Sequence, residues 1–414
     1  MRMTATRPDP APLDAEQRLP ALDILRGVAL LGIFIMNMPS FGASLFAEHA
    51  SDAVTALRDI FVAGKFNAMF AFLFGIGFAL QLARLQAAQP AQPQRGERIY
   101  LRRLVVLMAL GLLHGAVFWA GDVLFVYSVL GLILLALRRL PDRVLLTLVA
   151  AGVLFPALAI YLRAGLLSFE TESRAILDYQ ALEASNNLAY GSGTFSDTAR
   201  ENSGMLVWLY TTPLGLWSMA MFYVQMGTPL VLGYVVGRRG SIARIGELGP
   251  AMRRARAIVG GVGAAATLLY VVAGIDSQEP TLTSALLNLL QTVGRLGLML
   301  CYVLTIALVA QTPHWRERLS PFAAAGRMPL TNYLLQTALA TTIFYGWGLG
   351  WWGRADTAAQ IGIAVALYCG IQIPLSMAWL SRFERGPLEQ LWRLTTYGRW
   401  AAQPERELPP RRPR

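Results

Sequence analysis

Apolar residues fall along the chain in ten long runs separated by short polar stretches, near Leu22–Met38, Ile60–Leu82, Leu104–Trp119, Val123–Leu137, Val144–Leu162, Leu214–Val236, Ile258–Ala273, Leu286–Ala310, Leu330–Trp347 and Ala358–Trp379. A helix rises 1.5 Å per residue, so about 20 apolar residues cross a ~30 Å hydrocarbon layer, and the shorter runs must borrow flanking residues. The pattern predicts an all-α polytopic membrane protein of about ten transmembrane helices. A very tight turn around Gly121–Asp122 joins the third and fourth. The connection 163–213 is too long for a plain loop and holds Gly191–Ser192–Gly193 within a mixed-charge stretch. It reads as an external helical cap between spans five and six. No sequence repeat is visible, nor a matched pair of broken helices in the two halves.

Charge then orients the runs. Segments 1–21, 83–103, 138–143, 237–257, 311–329 and 380–414 contain 28 of the 36 basic residues. The alternate connections hold only Arg58, Arg163, Arg174, Arg200 and Arg354, together with 13 of the 25 acidic residues. Basic loops face the cytoplasm, so both termini are expected inside a bacterial cytoplasmic (inner) membrane. The chain divides into a cytoplasmic N-terminal tail (1–21), a transmembrane helical domain (22–379) and a cytoplasmic C-terminal tail (380–414). Its ends, 1–17 and 402–414, are rich in Pro, Arg and Ala and are expected to be disordered. Asp23 and Arg26, with no A-x-A site after the first run, argue for a retained helix over a signal peptide.

Composition narrows the class. Of 414 residues, 55% are hydrophobic and 15% charged, against roughly 25% charged in soluble domains. A soluble enzyme, a disordered scaffold and a disulfide-stapled secreted domain are excluded. The net charge of +11 sits in short blocks between apolar runs, which is not a nucleic-acid-binding face. Cys301 and Cys369 both lie in apolar stretches, so no thiolate metal site or disulfide framework is indicated. No zinc, P-loop, dinucleotide or nucleophile-elbow motif is present at credible spacing, and no metal is expected.

The candidate chemistry is therefore intramembrane, where ionisable side chains are costly and usually face a cavity. Asp23 and Arg26 share a helix face, as a local ion pair or as a cation aimed at an anionic group. Asn37 lies eleven residues beyond Arg26, within about 20° of the same direction and about 16 Å along the axis. Lys65, in Gly64–Lys65–Phe66, either snorkels to the interface or serves a cavity. His114, in Gly111–Leu112–Leu113–His114–Gly115, is the one His well inside a run. Its glycines let a neighbouring helix approach closely. It is either a hydrogen-bonded core residue or a general base. Asp122, eight residues on, could orient it or cap the next helix. Arg295, between Gly294 and Leu296, lies near mid-depth, calling for a buried partner or an anionic ligand. Asn332 and Gln336 share a face at i, i+4 and, like Gln225 and Gln372, default to interhelical hydrogen bonding.

Several blocks resemble a known family. Leu22–Asp23–Ile24–Leu25–Arg26–Gly27, Gly64–Lys65–Phe66, Phe72–Leu73–Phe74–Gly75 and Gly111–Leu112–Leu113–His114 with Gly121–Asp122 are similar to blocks of the YeiB-like bacterial membrane proteins. Gly326–Arg327–Met328–Pro329–Leu330–Thr331–Asn332–Tyr333 and Arg385–Gly386–Pro387–Leu388–Glu389 resemble that family's C-terminal domain of unknown function, placed at 214–400. The first helix is also similar to that of transmembrane acyltransferases, which carry an acyl group from cytosolic acetyl-CoA to a sugar across the membrane. In the O-acyltransferases among them an Arg precedes a catalytic His with ten residues between. Here Arg26 is followed at that spacing by Asn37, an amide that cannot act as a base.

The expectation is a membrane acyltransferase using acetyl-CoA or another acyl-CoA as co-substrate and a small-molecule or glycan acceptor at the outer side. His114 with Asp122 would be catalytic. Arg102, Arg103 and Arg327 would hold the CoA phosphates. Arg26, Asn37, Lys65, Arg295, Asn332 and Gln336 would line the cavity or stabilise an oxyanion. The alternative is a transporter or flippase for an anionic or lipid-linked solute, with Arg295 and Lys65 binding it. The bilayer is the expected partner, nucleic acid is not, and a homodimer is compatible with the pattern.

Overall fold

The structure, a computed structural model, describes residues 20–43, 52–87, 93–166, 181–240, 249–273 and 280–397. The expected tail ends at 1–17 and 402–414, and part of the expected cap (167–180), lie outside these. Helices account for nearly all of the described chain. In order they are α1 (Pro20–Gly42), α2 (Ala53–Phe61), α3 (Lys65–Ala87), α4 (Pro93–Val117), α5 (Leu124–Leu137), α6 (Asp142–Leu166), α7 (181–191), α8 (Phe195–Thr211), α9 (Pro213–Arg238), α10 (Gly249–Ala273) and α11 (Leu282–Val309). There follow α12 (Pro313–Arg318), α13 (Ser320–Gly326), α14 (Pro329–Phe344), α15 (Thr357–Leu367), α16 (Ile373–Leu380) and α17 (Pro387–Tyr397).

Among the described residues eight helical stretches are long and apolar enough to cross a membrane, which makes the chain an all-α polytopic membrane protein. Two of the ten expected spans fall short of that length. With 14 and 16 residues, α5 and α14 rise only about 21 and 24 Å. Two others depart from the expected runs for visible reasons. The run expected from Ile60 is broken, because Gly64 takes φ +74° and separates the exposed α2 from α3. Lys65 is thus the first residue of α3 and not a turn inside it. The last run is interrupted by a π-helical turn, Tyr368–Gln372. Pro374 follows it and has no N–H to continue the regular ladder.

Polar residues at the ends explain where helices start. Asp52, Thr194, Thr212, Thr281 and Asp356 each accept a backbone N–H of the following first turn. Helix α1 packs against α3, α13, α14 and α15; α3 runs along α9, and α6 joins α9 to α11. The buried centre is aromatic, with Phe34, Phe78, Tyr127, Phe344 and Tyr368 fully enclosed. Among the described parts of connection 163–213, α8 lies against α4 and α9.

Candidate functional site

A cavity of about 510 Å³ opens between α1, α3, α4, α5, α14 and α17. Its rim carries Arg26, Arg84, Arg103, Arg327, Arg385 and Arg393 against Asp23, Glu384 and Glu389. All of these but Asp23 and Arg26, which stand just inside the first apolar run, come from the basic segments identified by charge, so the mouth lies at the arginine-rich end of the bundle. Deeper, the walls turn apolar and aromatic: Phe74, Leu107, Val123, Leu124, Tyr127 and Tyr333. From Arg103 to His114, α4 climbs about 16 Å.

The rim is pre-organised. Arg26 Nη1 donates to Asp23 Oδ1 at 2.9 Å. The Arg103 guanidinium lies 3.6 Å over the Trp392 ring, whose Nε1 donates to Arg103 O at 3.0 Å. Arg327 Nη2 donates to Glu384 O at 3.1 Å. Glu389 reaches from α17 to the start of α14, accepting Leu330 N at 2.7 Å, Thr331 N at 3.1 Å and the Thr331 hydroxyl at 2.6 Å. Burial pushes its carboxyl above the ordinary range, against the lowering effect of those hydrogen bonds.

Immediately beyond the cavity floor stands His114, buried at 4% exposure. The Tyr333 ring, which forms part of the floor, lies 5.5 Å from the imidazole centroid. Nδ1 is 2.8 Å from Asp122 Oδ1, and Nε2 is 3.0 Å from Thr337 Oγ1. An ionised carboxylate only accepts, so Nδ1 carries the proton and Nε2 accepts from the Thr337 hydroxyl. The other Asp122 oxygen accepts Phe125 N at 2.8 Å. One carboxylate therefore both aligns the imidazole and caps α5. Gly111 makes this possible, since a Cβ there would collide with Phe125 N and lie 2.8 Å from Asp122 Oδ2. On the far side of His114 lies an aromatic group, with Phe118 at 6.2 Å and then Phe195 and Trp347.

The remaining expected site residues scatter. Arg103 and Arg327 meet at the rim, but Arg102 turns to Thr396 O at 3.3 Å and does not line the cavity. Asn37 is buried in α1 and is likewise absent from the lining. Asn332 and Gln336 fasten helices together: Asn332 Nδ2 donates to Ser376 Oγ and Ala325 O, and Gln336 Nε2 to Leu30 O and Gln372 Oε1. Lys65 and Arg295 form a separate buried corner at the start of α3, outside the cavity wall.

A family model described as "Protein of unknown function (DUF418)" matches residues 236–399. The uncharacterized protein YxaH of Bacillus subtilis (strain 168) is 30% identical over 94% of this chain and 96% of its own length. YeiB of Escherichia coli (strain K12), also uncharacterized, is 30% identical over 92% and 96%. The chain belongs to the YeiB/DUF418 family. No solved structure matches it. None of these relatives' names carries an activity, and none of them supports the acyltransferase likeness expected from the first helix.

Two polar residues of this YeiB/DUF418 protein escape a sequence reading. Thr337 contacts His114 from 223 positions away. Asn202 of α8, fully buried, accepts Ala120 N at 3.1 Å and the Tyr190 hydroxyl at 2.9 Å, and so braces the turn that carries Asp122. Neither has a signal in the sequence beyond being a polar side chain in its helix.

Proposed function

We propose that this protein is an acyltransferase of the bacterial cytoplasmic membrane. It would take an acyl group, acetyl in the simplest case, from cytosolic acyl-CoA to a hydroxyl or amine of a sugar or cell-envelope component at the outer side. In this reading both termini are cytoplasmic, α5 and α14 complete ten crossings, and α7–α8 form the external cap. The observation that carries it is that an arginine-rimmed cavity is lined by Tyr333, whose ring lies 5.5 Å from the Asp122-bonded His114. The rim suits the phosphates of a CoA nucleotide, and the apolar shaft suits a pantetheine arm.

The chemistry asked of the chain is modest. His114 Nε2 accepts the proton of the acceptor O–H or N–H, displacing Thr337 from that nitrogen, as the acceptor attacks the thioester carbonyl. Asp122 stabilises the imidazolium that results. The C–S bond breaks, and His114 returns the proton to the departing thiolate. Phe118, Phe195 and Trp347 offer an apolar face on the side from which a sugar would arrive.

The test begins with purified protein in nanodiscs, titrated with acetyl-CoA against thermal unfolding, with CoA and ATP as controls. A ligand that binds only the folded state raises the midpoint, by about 2.7 kcal/mol of stability at a hundred times its Kd. The expected result is a rise with acetyl-CoA that His114→Ala keeps while losing acyl transfer and remaining monodisperse. No rise at millimolar acetyl-CoA, with solute uptake or lipid scrambling in liposomes lacking any donor, would replace this reading with transport.

A further inference from the structure

A buried pair of cations lies away from the cavity, where α2 turns into α3 against α11. Lys65 and Arg295 are 6% and 9% exposed. Lys65 Nζ donates to Asp59 O at 2.5 Å, a backbone carbonyl that neutralises nothing. Arg295 makes no hydrogen bond and no ion pair among the described residues, and its Nε is fully enclosed without a partner. Arg58 spends Nε and Nη2 on the Asp59 carboxylate, at 2.9 and 2.8 Å, and leaves Nη1 enclosed and unpaired. Arg58 thus takes the Asp59 carboxylate, and the buried Lys65 and Arg295 are left as two positive charges without a carboxylate of their own. The N-terminal end of α3, which opens at Lys65, adds the positive pole of a helix dipole at the same place.

The backbone is shaped around the arginine. Gly64 adopts φ +74°, and a Cβ there would stand 2.8 Å from Arg295 Cδ, so the side chain passes directly beneath the turn. Tyr302, two turns along α11 from Arg295, pins the same turn by donating to Phe61 O at 3.1 Å and stacking on Phe66 at 5.6 Å. A buried guanidinium without a counter-charge is strongly unfavourable, and a guanidinium that cannot deprotonate must find an anion. Exposed Val54, Leu57 and Phe61 give α2 an apolar surface suited to lying among lipids.

We propose that Arg295 and Lys65 form a buried oxyanion site at the start of α3 that holds one phosphate group, free or on a phospholipid headgroup. A guanidinium fork, an ammonium and a helix N-terminus are the recurring elements of phosphate recognition. The two uncompensated charges match a phosphate monoester or a phosphodiester with a residual positive field. This site is independent of acyl transfer, since neither Arg295 nor Lys65 lines the cavity.

The experiment uses the full chain, extracted and exhaustively washed in detergent. Bound phosphorus is assayed in organic and aqueous extracts, and native mass spectrometry reads any retained lipid. The thermal midpoint is then followed against inorganic phosphate at constant ionic strength, and in nanodiscs of phosphatidylglycerol against phosphatidylcholine. The expected result is about one phosphate equivalent per chain, or a midpoint that rises with one of the two sources. Retention in the organic extract with a phosphatidylglycerol preference identifies lipid, and a response to inorganic phosphate identifies the free ion. Arg295→Met should abolish the effect and lower the midpoint, because a filled site is lost. If the site is empty, the same substitution removes an unpaired charge and the midpoint stays or rises, which overturns the proposal. A phosphate response that survives Arg295→Met and disappears in Arg103→Gln belongs to the cavity rim and overturns it too. Should Arg295→Met fail to fold, the wild-type phosphorus content and titrations decide alone, and absence of both overturns the proposal.

Discussion

Asp122 carries two separable duties, and a single substitution can divide them. Its Oδ2 caps α5 through Phe125 N, and its Oδ1 takes the proton-bearing Nδ1 of His114. An asparagine in its place can still cap with its oxygen, but it then turns its NH₂ toward Nδ1. The imidazole must become an acceptor there and carry its proton on Nε2, where a general base needs a lone pair. Asp122→Asn is therefore expected to keep stability to within about 1 kcal/mol while lowering transfer by about 10²–10⁴-fold. Equal losses of stability and transfer would assign Asp122 a purely structural role. Thr337→Val makes the complementary case. It strips the partner from Nε2 and leaves a buried acceptor unpaired, costing about 1–3 kcal/mol, whereas Thr337→Ser should restore the wild-type midpoint in the same thermal melt. His114 and Asp122 were legible in the sequence because an ionisable residue in or beside an apolar run stands out. Thr337 was not, since a threonine in an apolar helix is unremarkable until the fold brings its partner across from α4.

At the scale of elements, the start of α14 shows how a terminal helix is built into the bundle. Met328 offers no side-chain cap, and the N–H groups of Leu330 and Thr331 are met instead by Glu389 from α17. Burial raises the Glu389 carboxyl, so the folded chain holds that proton more tightly than the unfolded one. Its stabilising contribution is then complete below the ordinary glutamate value, about 4.3, and is lost as pH rises through the elevated folded value. Glu389→Gln removes this dependence. Thermal midpoints from about pH 4 to 7 should show the wild type losing ground steadily to the variant, and a wild-type advantage that grows with pH would contradict the assignment. Most of the long apolar runs reappear as helices because their length alone dictates it. The break at Gly64 and the π-helical turn before Pro374 did not read from the pattern, since an apolar run stays apolar through a local backbone change. The same limit applies to Asn332 and Gln336. Their shared helix face was visible, but whether it met a cavity or another helix depended on Gln372 and Ser376, which only the packing of α16 supplies.

Across the whole molecule, the alternation of basic and acidic connections predicts an orientation without reference to packing, and the cavity mouth lies among the basic segments. The cavity itself had no signature, because its walls join α1 and α3 to α14 and α17, roughly 300 residues later. Its shape makes the route testable without touching either a rim arginine or His114. Leu107 lines the shaft at 3% exposure, one turn deeper along α4 than the Arg103 rim and two turns short of His114. Leu107→Trp should fill the shaft while leaving the rim intact, at an overpacking cost of about 1–3 kcal/mol. If the nucleotide is held at the rim and the acyl arm descends toward Tyr333, this variant separates the two halves of the donor. Its thermal shift with adenosine 3′,5′-bisphosphate should match the wild type and weaken with salt, as exposed ion pairing does, while its shift with acetyl-CoA falls to that of the nucleotide alone. Transfer should fail as completely as in His114→Ala. Arg103→Gln together with Arg327→Gln should do the reverse, weakening both ligands and flattening the salt dependence. Normal transfer by Leu107→Trp would mean that the acyl group reaches His114 by another path, and the cavity would then have to be explained by a ligand that never meets the histidine.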